Sequence, residues 1–185
     1  MPKKIAASED WIKKGIELFA QGGVDALNVE KMAKILNCTK GSFYHHFKSR
    51  EDYISRIIEY YTKTRKNMLE SMGSFYNSPI EKLSRVLVGV FKNPRGLDFE
   101  FQLRNFAETN EKAKISLNNL ERERLTYVSV LLEDCGVENP PQRAEMIYNY
   151  YLGWYQKNKF REFSDQALIK ELEKLSLISG INLSL

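Results

Sequence analysis

The 185-residue chain predicts an all-α fold, on three observations. Apolar residues recur three, four and seven apart along nearly every segment, which is the period of a half-buried helix. Residues that cap helices stand just ahead of those runs. The intervening loops are short, with no internal repeat or low-complexity stretch, as a compact helical bundle requires. With 43% apolar and 12% aromatic residues, the chain has material for a sizeable core.

The first helix spans 8 to 21, where Trp11, Ile12, Ile16, Phe19 and Ala20 share a stripe. Ser8 is its expected cap, and Gly22–Gly23 ends it. Asn28 caps a short second helix in which Val29, Met32, Ala33 and Leu36 form one apolar face. Asn37 follows, a residue that tolerates the left-handed backbone of a sharp reversal. Thr39 then caps a third helix about two turns long, whose Phe43 and Phe47 are four apart and share a face. Ser49 with Asp52 resembles a capping box and opens a fourth helix carrying Ile54, Ile57, Ile58 and Tyr61.

Further along, SPIEKLSRVLVGVF (78–91) begins with a Ser-Pro suited to a helix N-terminus, and NPRG (93–96) stops it. A helix containing LDFEFQLRNFAET follows. Residues 111–135 form a long helix with Ile115, Leu117, Leu120, Leu125, Val128, Leu131 and Leu132, ended by Gly136 and the prolines at 140 and 141. Two last helices are expected at 141–160 and 165–179.

Charge is unevenly distributed. The formal net charge is +4, but residues 1–67 hold 13 Lys and Arg against 8 Asp and Glu, whereas residues 68–185 hold 15 against 16. Such asymmetry points toward a polyanionic partner, because basic side chains displace the counterions condensed on phosphates. The longest apolar run, VLVGVF at 86–91, is far below membrane-spanning length. No segment reads as a signal peptide, so a cytoplasmic location with no membrane partner is expected. Cys38 and Cys135 have no CxxC partner, which indicates neither a disulfide framework nor a thiolate zinc site.

The segment CTKGSFYHHFKSR (38–50) decides between chemistry and recognition. If Phe43 and Phe47 enter a small core made by helices one, two and four, then Lys40, Tyr44 and His45 face water. Two short helices joined by a tight turn match the helix-turn-helix pattern, whose second helix enters the DNA major groove. Gly41 permits close approach to a phosphate strand, and the Thr39 hydroxyl and helix N-terminal amides offer donors to it. Lys48 adds positive charge at the far end. His45 and His46 lie about 100° apart on a helix, so they cannot both chelate one ion as residues four apart can. With no other histidine and no orienting carboxylate at a motif spacing, no metal site, catalytic residue or cofactor is expected. His45 is expected to face DNA, and His46 to pack and bond internally. Cys38 reads as a small hydrophobe plugging the turn.

The stretch GIELFAQGGVDALNVEKMAKILNCTKGSFYHHFKSREDYISRII resembles the DNA-binding domain of TetR-family transcriptional regulators, most specifically in TKGSFYHHFKSRED. The resemblance covers about a quarter of the chain. It implies a three-helix DNA-binding domain at 1–48, joined through helix four to a larger helical effector-binding and dimerisation domain at 49–185. Thr39, Lys40, Ser42, Tyr44 and His45 become groove or phosphate contacts and Lys48 a phosphate anchor, with Asn28 and Gly41 in the same DNA-binding set. Asn28 stands where the family commonly has Thr, and caps equally well. Cys38 replaces a common aliphatic residue.

The resemblance also makes the last two helices a dimerisation pair, to which Gly153, Leu168, Leu172 and Leu175 are assigned. An isologous homodimer would set two recognition helices one DNA turn, or a multiple of it, apart. The larger domain is expected to hold a cavity for an apolar or aromatic small molecule, lined by Phe91, Phe106, Tyr127, Tyr151 and Trp154. Arg104 and Glu108 are either polar anchors for that ligand or an exposed ion pair. The implied function is operator binding by a homodimer, with repression relieved by the effector. The alternatives are a protein-interaction module on the same fold and an enzyme using the aromatic cavity.

Overall fold

The computed structural model describes residues 6–92, 96–159 and 164–183. Among them are nine α-helices and no strand: α1 (Ser8–Gly22), α2 (Val29–Ile35), α3 (Lys40–His46), α4 (Arg50–Gly73), α5 (Pro79–Lys92), α6 (Gly96–Ala107), α7 (Glu111–Asp134), α8 (Pro140–Asn158) and α9 (Asp165–Ser179). A single 3₁₀ turn, Gly23–Ala26, follows α1. Of the NPRG stop expected after α5, residues 93–95 lie outside the described residues.

Local chemistry sets most boundaries. The Asn28 carboxamide accepts from the Lys31 N–H at 2.9 Å, and the Thr39 hydroxyl from the Ser42 N–H at 3.3 Å, each satisfying a donor that a helix start leaves orphaned. Asn37 has φ 50°, the left-handed step that reverses the chain between α2 and α3. At α4 the Asp52 N–H donates to Ser49 Oγ at 3.2 Å, and the Asp52 carboxylate in turn accepts from the Lys48 N–H at 3.0 Å. The start of α1 differs from expectation. Ser8 is already helical and Ala7 is the cap residue, its N–H satisfied by the Asp10 carboxylate at 3.1 Å.

The helices group into two compact units, Met1–Thr64 with Gly96–Asn119, and Arg65–Arg95 with Leu120–Leu185. The grouping therefore runs through α4 and α7, and it places α6 with the helix-turn-helix. In the first unit, Trp11, Phe19, Met32, Phe43, Phe47, Tyr53 and Ile57 are buried. Edge-on ring contacts join Phe43 to Trp11 at 5.3 Å and to Tyr53 at 5.0 Å, the geometry favoured by ring quadrupoles. Helix α6 lies against α1, with Phe99 between Phe19 (4.5 Å) and Tyr61 (3.9 Å, stacked). Beside it the Tyr61 hydroxyl donates to the fully buried Glu100 at 2.7 Å.

In the second unit α9 packs against both α5 and α8. Leu83, Leu87, Phe91, Leu132, Ala144, Ile147, Leu168, Leu172 and Leu175 are buried there. Ser164 caps α9 by accepting from the Ala167 N–H at 3.2 Å.

Candidate nucleic-acid interface and effector cavity

Helix α3 is divided cleanly between two faces. Phe43 and Phe47 are 0% and 1% exposed, held against Trp11 and Tyr53. Thr39, Lys40, Gly41, Tyr44, His45 and Lys48 are exposed. The Tyr44 ring, 55% exposed, meets Phe43 edge-on at 5.2 Å, which fixes its base while leaving the phenol in solvent. Asn28 is also exposed.

His46 does something different from its neighbour. It is half-buried, and its Nε2 lies 2.8 Å from the Ala6 carbonyl. A carbonyl oxygen can only accept, so Nε2 carries the proton. His46 thereby ties the chain ahead of α1 to α3, as its expected internal role requires, while His45 stays outside.

Ser42 does not share the outward placement. It is 5% exposed and its hydroxyl has no hydrogen-bond partner. The residue sits one position before Phe43 on the inward side, so a groove contact from its hydroxyl would need the helix to turn. Lys40 is exposed but engaged: its ammonium lies 3.1 Å from the Glu30 carboxylate on α2. Gly41 is free of any packing demand, because an added Cβ would meet only Thr39 Oγ1, at an ordinary 3.5 Å. Cys38 is 2% exposed and plugs the turn as a small hydrophobe. The Lys48 N–H, hydrogen-bonded to Asp52, is the largest influence holding that carboxyl below the usual aspartate range.

The residues assigned to dimerisation divide in the same way. Leu168, Leu172 and Leu175 are 0%, 3% and 0% exposed within the single chain. They face α5 and α8 of their own subunit, and a side chain with no exposed surface cannot be what a second copy covers. Gly153 is exposed, with no heavy atom within 4 Å of an added Cβ. Met146 on α8, with Ile169 and Leu177 on α9, are exposed at 55%, 43% and 84%. The apolar period of α9 could not reveal which stripe was internal.

The aromatic residues expected around a ligand mostly pack on one another. Phe91 lies 5.0 Å from Tyr151 and 4.6 Å from Trp154, and the Tyr151 hydroxyl donates to the Val90 carbonyl at 3.0 Å. Phe106 belongs to the first unit. Of the five, Tyr127 lines a cavity of about 340 Å³ between α4 and α7 in the second unit. Burial, and then the Glu70 charge, raise its hydroxyl pKa. Arg104 stands over the Phe101 ring at 5.5 Å. Among the described residues no three His, Cys, Asp or Glu side chains are grouped to hold a metal ion. No helix among them is long and apolar enough to cross a membrane.

A buried-aromatic anchor beneath an exposed, basic-flanked second helix defines a helix-turn-helix DNA-binding protein. The family profile described as "Bacterial regulatory proteins, tetR family" matches residues 12–57, which run from α1 into α4. The chain thus carries a DNA-binding domain of the TetR family of transcriptional regulators. It is 20% identical over 149 residues to the HTH-type transcriptional repressor KstR2 of Mycolicibacterium smegmatis, covering 77% of this chain and 72% of that one. Further curated regulators match over shorter stretches, between 21% and 48% of their own lengths. The fold is shared with reduced NemR of E. coli (TM-score 0.78, 19% identity, 92% of this chain and 96% of that one). It is shared too with AibR, solved with isovaleryl coenzyme A and operator DNA (TM-score 0.69, 13% identity, 96% and 99%).

Proposed function

We propose that the chain is a homodimeric, cytoplasmic repressor that reads operator DNA with the outer face of α3 and lets go when a small molecule occupies its second unit. The observation that carries the reading is the division of α3, with two phenylalanines buried and Thr39, Lys40, Gly41, Tyr44, His45 and Lys48 exposed. Tyr44 and His45 stand where a recognition helix meets base edges, whereas Thr39 and Lys48, at its two ends, suit phosphates. Residues 1–48 act as the DNA head and the remainder as the sensing and pairing part.

A dimer built on α8 and α9 would use Met146, Gly153, Ile169 and Leu177. Met146 and Gly153 are seven apart and Ile169 and Leu177 eight apart, so each pair shares a helix face. Two heads about 34–36 Å apart, one DNA turn, or a multiple of that, would then read a palindrome. Release follows if the ligand binds better to a form whose heads are spaced otherwise, by its differential affinity and without chemistry. That the fold neighbour AibR was solved with both an acyl thioester and operator DNA supports a ligand-linked role.

Titration of DNA across salt concentrations tests the interface. Tyr44→Ala and His45→Ala are expected to lose preference for the operator by about 1–3 kcal/mol, while Lys48→Ala weakens all sequences and lowers the salt slope by about one. Equal operator affinity and slope in all three variants would overturn the assignment.

A further inference from the structure

We infer that Glu30 is a specificity-determining residue of the DNA head: its carboxylate holds the Lys40 ammonium, and so keeps affinity low for DNA of unrelated sequence. The inference rests on the reading of α3 as the recognition helix, and it adds an acidic residue to an interface otherwise neutral or basic.

From Asn28 to Lys48 the chain carries four lysines and one carboxylate, that of Glu30. A lone acid in such a stretch works against binding a polyanion, since lysines gain by displacing counterions from phosphates. Its ordinary role is local. Glu30 stands in the first turn of α2, where a carboxylate answers the positive end of the helix dipole. Its side chain, however, reaches the other helix of the motif. Glu30 Oε1 lies 3.1 Å from Nζ of Lys40, ten residues on and the lysine of α3. The two side chains are 69% and 54% exposed, so the pair adds little to the stability of the fold. Its effect falls on what Lys40 can do at the surface.

A lysine is a flexible point charge with three donors. Released, the Lys40 ammonium would follow whichever phosphate lay nearest, and phosphate contacts carry no sequence information. Held by Glu30, it reaches a phosphate only by leaving the carboxylate, which then faces the same anionic strand. Complexes with unrelated DNA depend almost wholly on phosphate contacts, so they lose most from a tethered lysine. On the operator, base-edge contacts from Tyr44 and His45 fix the place of α3, and Lys40 can stay on Glu30. Setting an unfavourable charge against the wrong partner in this way raises selectivity at some expense of total affinity.

Titration of the full chain with a labelled duplex of scrambled sequence, and with the operator duplex found by genomic selection, tests this across salt concentrations. Glu30→Gln is expected to bind the scrambled duplex at least about threefold more tightly at low salt and to steepen its salt slope by about one per head. Its gain on the operator is expected to be smaller, so that operator preference falls. In a Lys40→Ala background the same substitution is expected to leave the slope unchanged. Glu133→Gln, which removes an equal charge from an exposed position on α7, is expected to change none of these, and thermal melting verifies that each variant folds. No gain on the scrambled duplex, an equal gain on both duplexes, or a steeper slope that persists without Lys40 would overturn the inference.

The Tyr44→Ala and His45→Ala variants separate this inference from the reading beneath it. Loss of operator preference in both, with Glu30→Gln binding like the parent, upholds the recognition face and overturns the role of Glu30. A Lys40-dependent gain in Glu30→Gln, with both of those variants like the parent, upholds the tether and counts against the base-reading face. A parent that binds neither duplex overturns both.

Discussion

The Tyr53 hydroxyl lies 2.3 Å from the point a Cβ would occupy on Gly15. The same hydroxyl donates to the Trp11 carbonyl at 2.6 Å, so it is bonded in place and cannot swing aside at little cost. Burial raises its pKa, and it stays a neutral donor. The Tyr53 and Ile57 side chains of α4 therefore reach α1 where only glycine leaves room for them. Gly15→Ala would gain up to ~1 kcal/mol of helix propensity, yet the clash with Tyr53 and with Ile57 Cδ1 at 2.5 Å is expected to win, with a net loss of about 1–3 kcal/mol. Urea unfolding measures it, and an alanine variant more stable than the parent would contradict the packing.

Gly41 is the opposite case. Nothing in its own subunit crowds a Cβ there, so Gly41→Ala should be neutral or stabilise the fold by up to ~1 kcal/mol. If the bare backbone serves a phosphate strand, operator affinity should fall in the same variant. Measured together, unchanged affinity with raised stability would remove Gly41 from the interface.

Two tyrosines on α4 separate buried from exposed hydrogen bonds. The Tyr61 hydroxyl serves the fully buried Glu100 at 2.7 Å, whereas Tyr60 reaches the exposed Glu9 at 3.5 Å. Removing a donor from a buried acidic partner costs about 1–3 kcal/mol, while the exposed contact contributes close to nothing. Tyr61→Phe should therefore lower the melting temperature clearly and Tyr60→Phe hardly at all. Equal effects would place Glu100 in contact with solvent.

Surface and core positions on α9 should fail in different ways. Ile169→Lys and Leu177→Lys should yield folded monomers in sedimentation velocity. Leu172→Ala should cost about 2–5 kcal/mol of stability, because that side chain fills its own subunit. Dimers persisting in both lysine variants would remove this face from the pairing surface.

What could be read from the sequence followed the range of the interactions involved. Asn28, Asn37 and Thr39 act on backbone groups within a few residues, so their residue types announced the turns they make. Phe43 and Phe47 share a face by helical period alone, which fixed the outward direction of Tyr44 and His45. Ser42 escaped because its position, one residue from Phe43, lies at the border between faces, where the period does not decide. The approach of Tyr53 to Gly15 joins residues distant in sequence, and no local signal carries it. The leucine stripe of α9 was legible as apolar, but not the identity of its cover, since α5, α8 and a second copy would satisfy the same pattern. The aromatic residues of the second unit were equally ambiguous, and most pack together. Glu30 and Lys40 stand on separate helices ten residues apart, and only the fold brings their charges together.

The central claim is tested most directly by selecting genomic DNA fragments with the full chain and, in parallel, with Tyr44→Ala and His45→Ala. The account predicts enrichment of a palindrome with half-sites one or more whole turns apart, lost in both variants while their fold is kept. Enrichment of the same sequence by the variants, or of none by the parent, would contradict it.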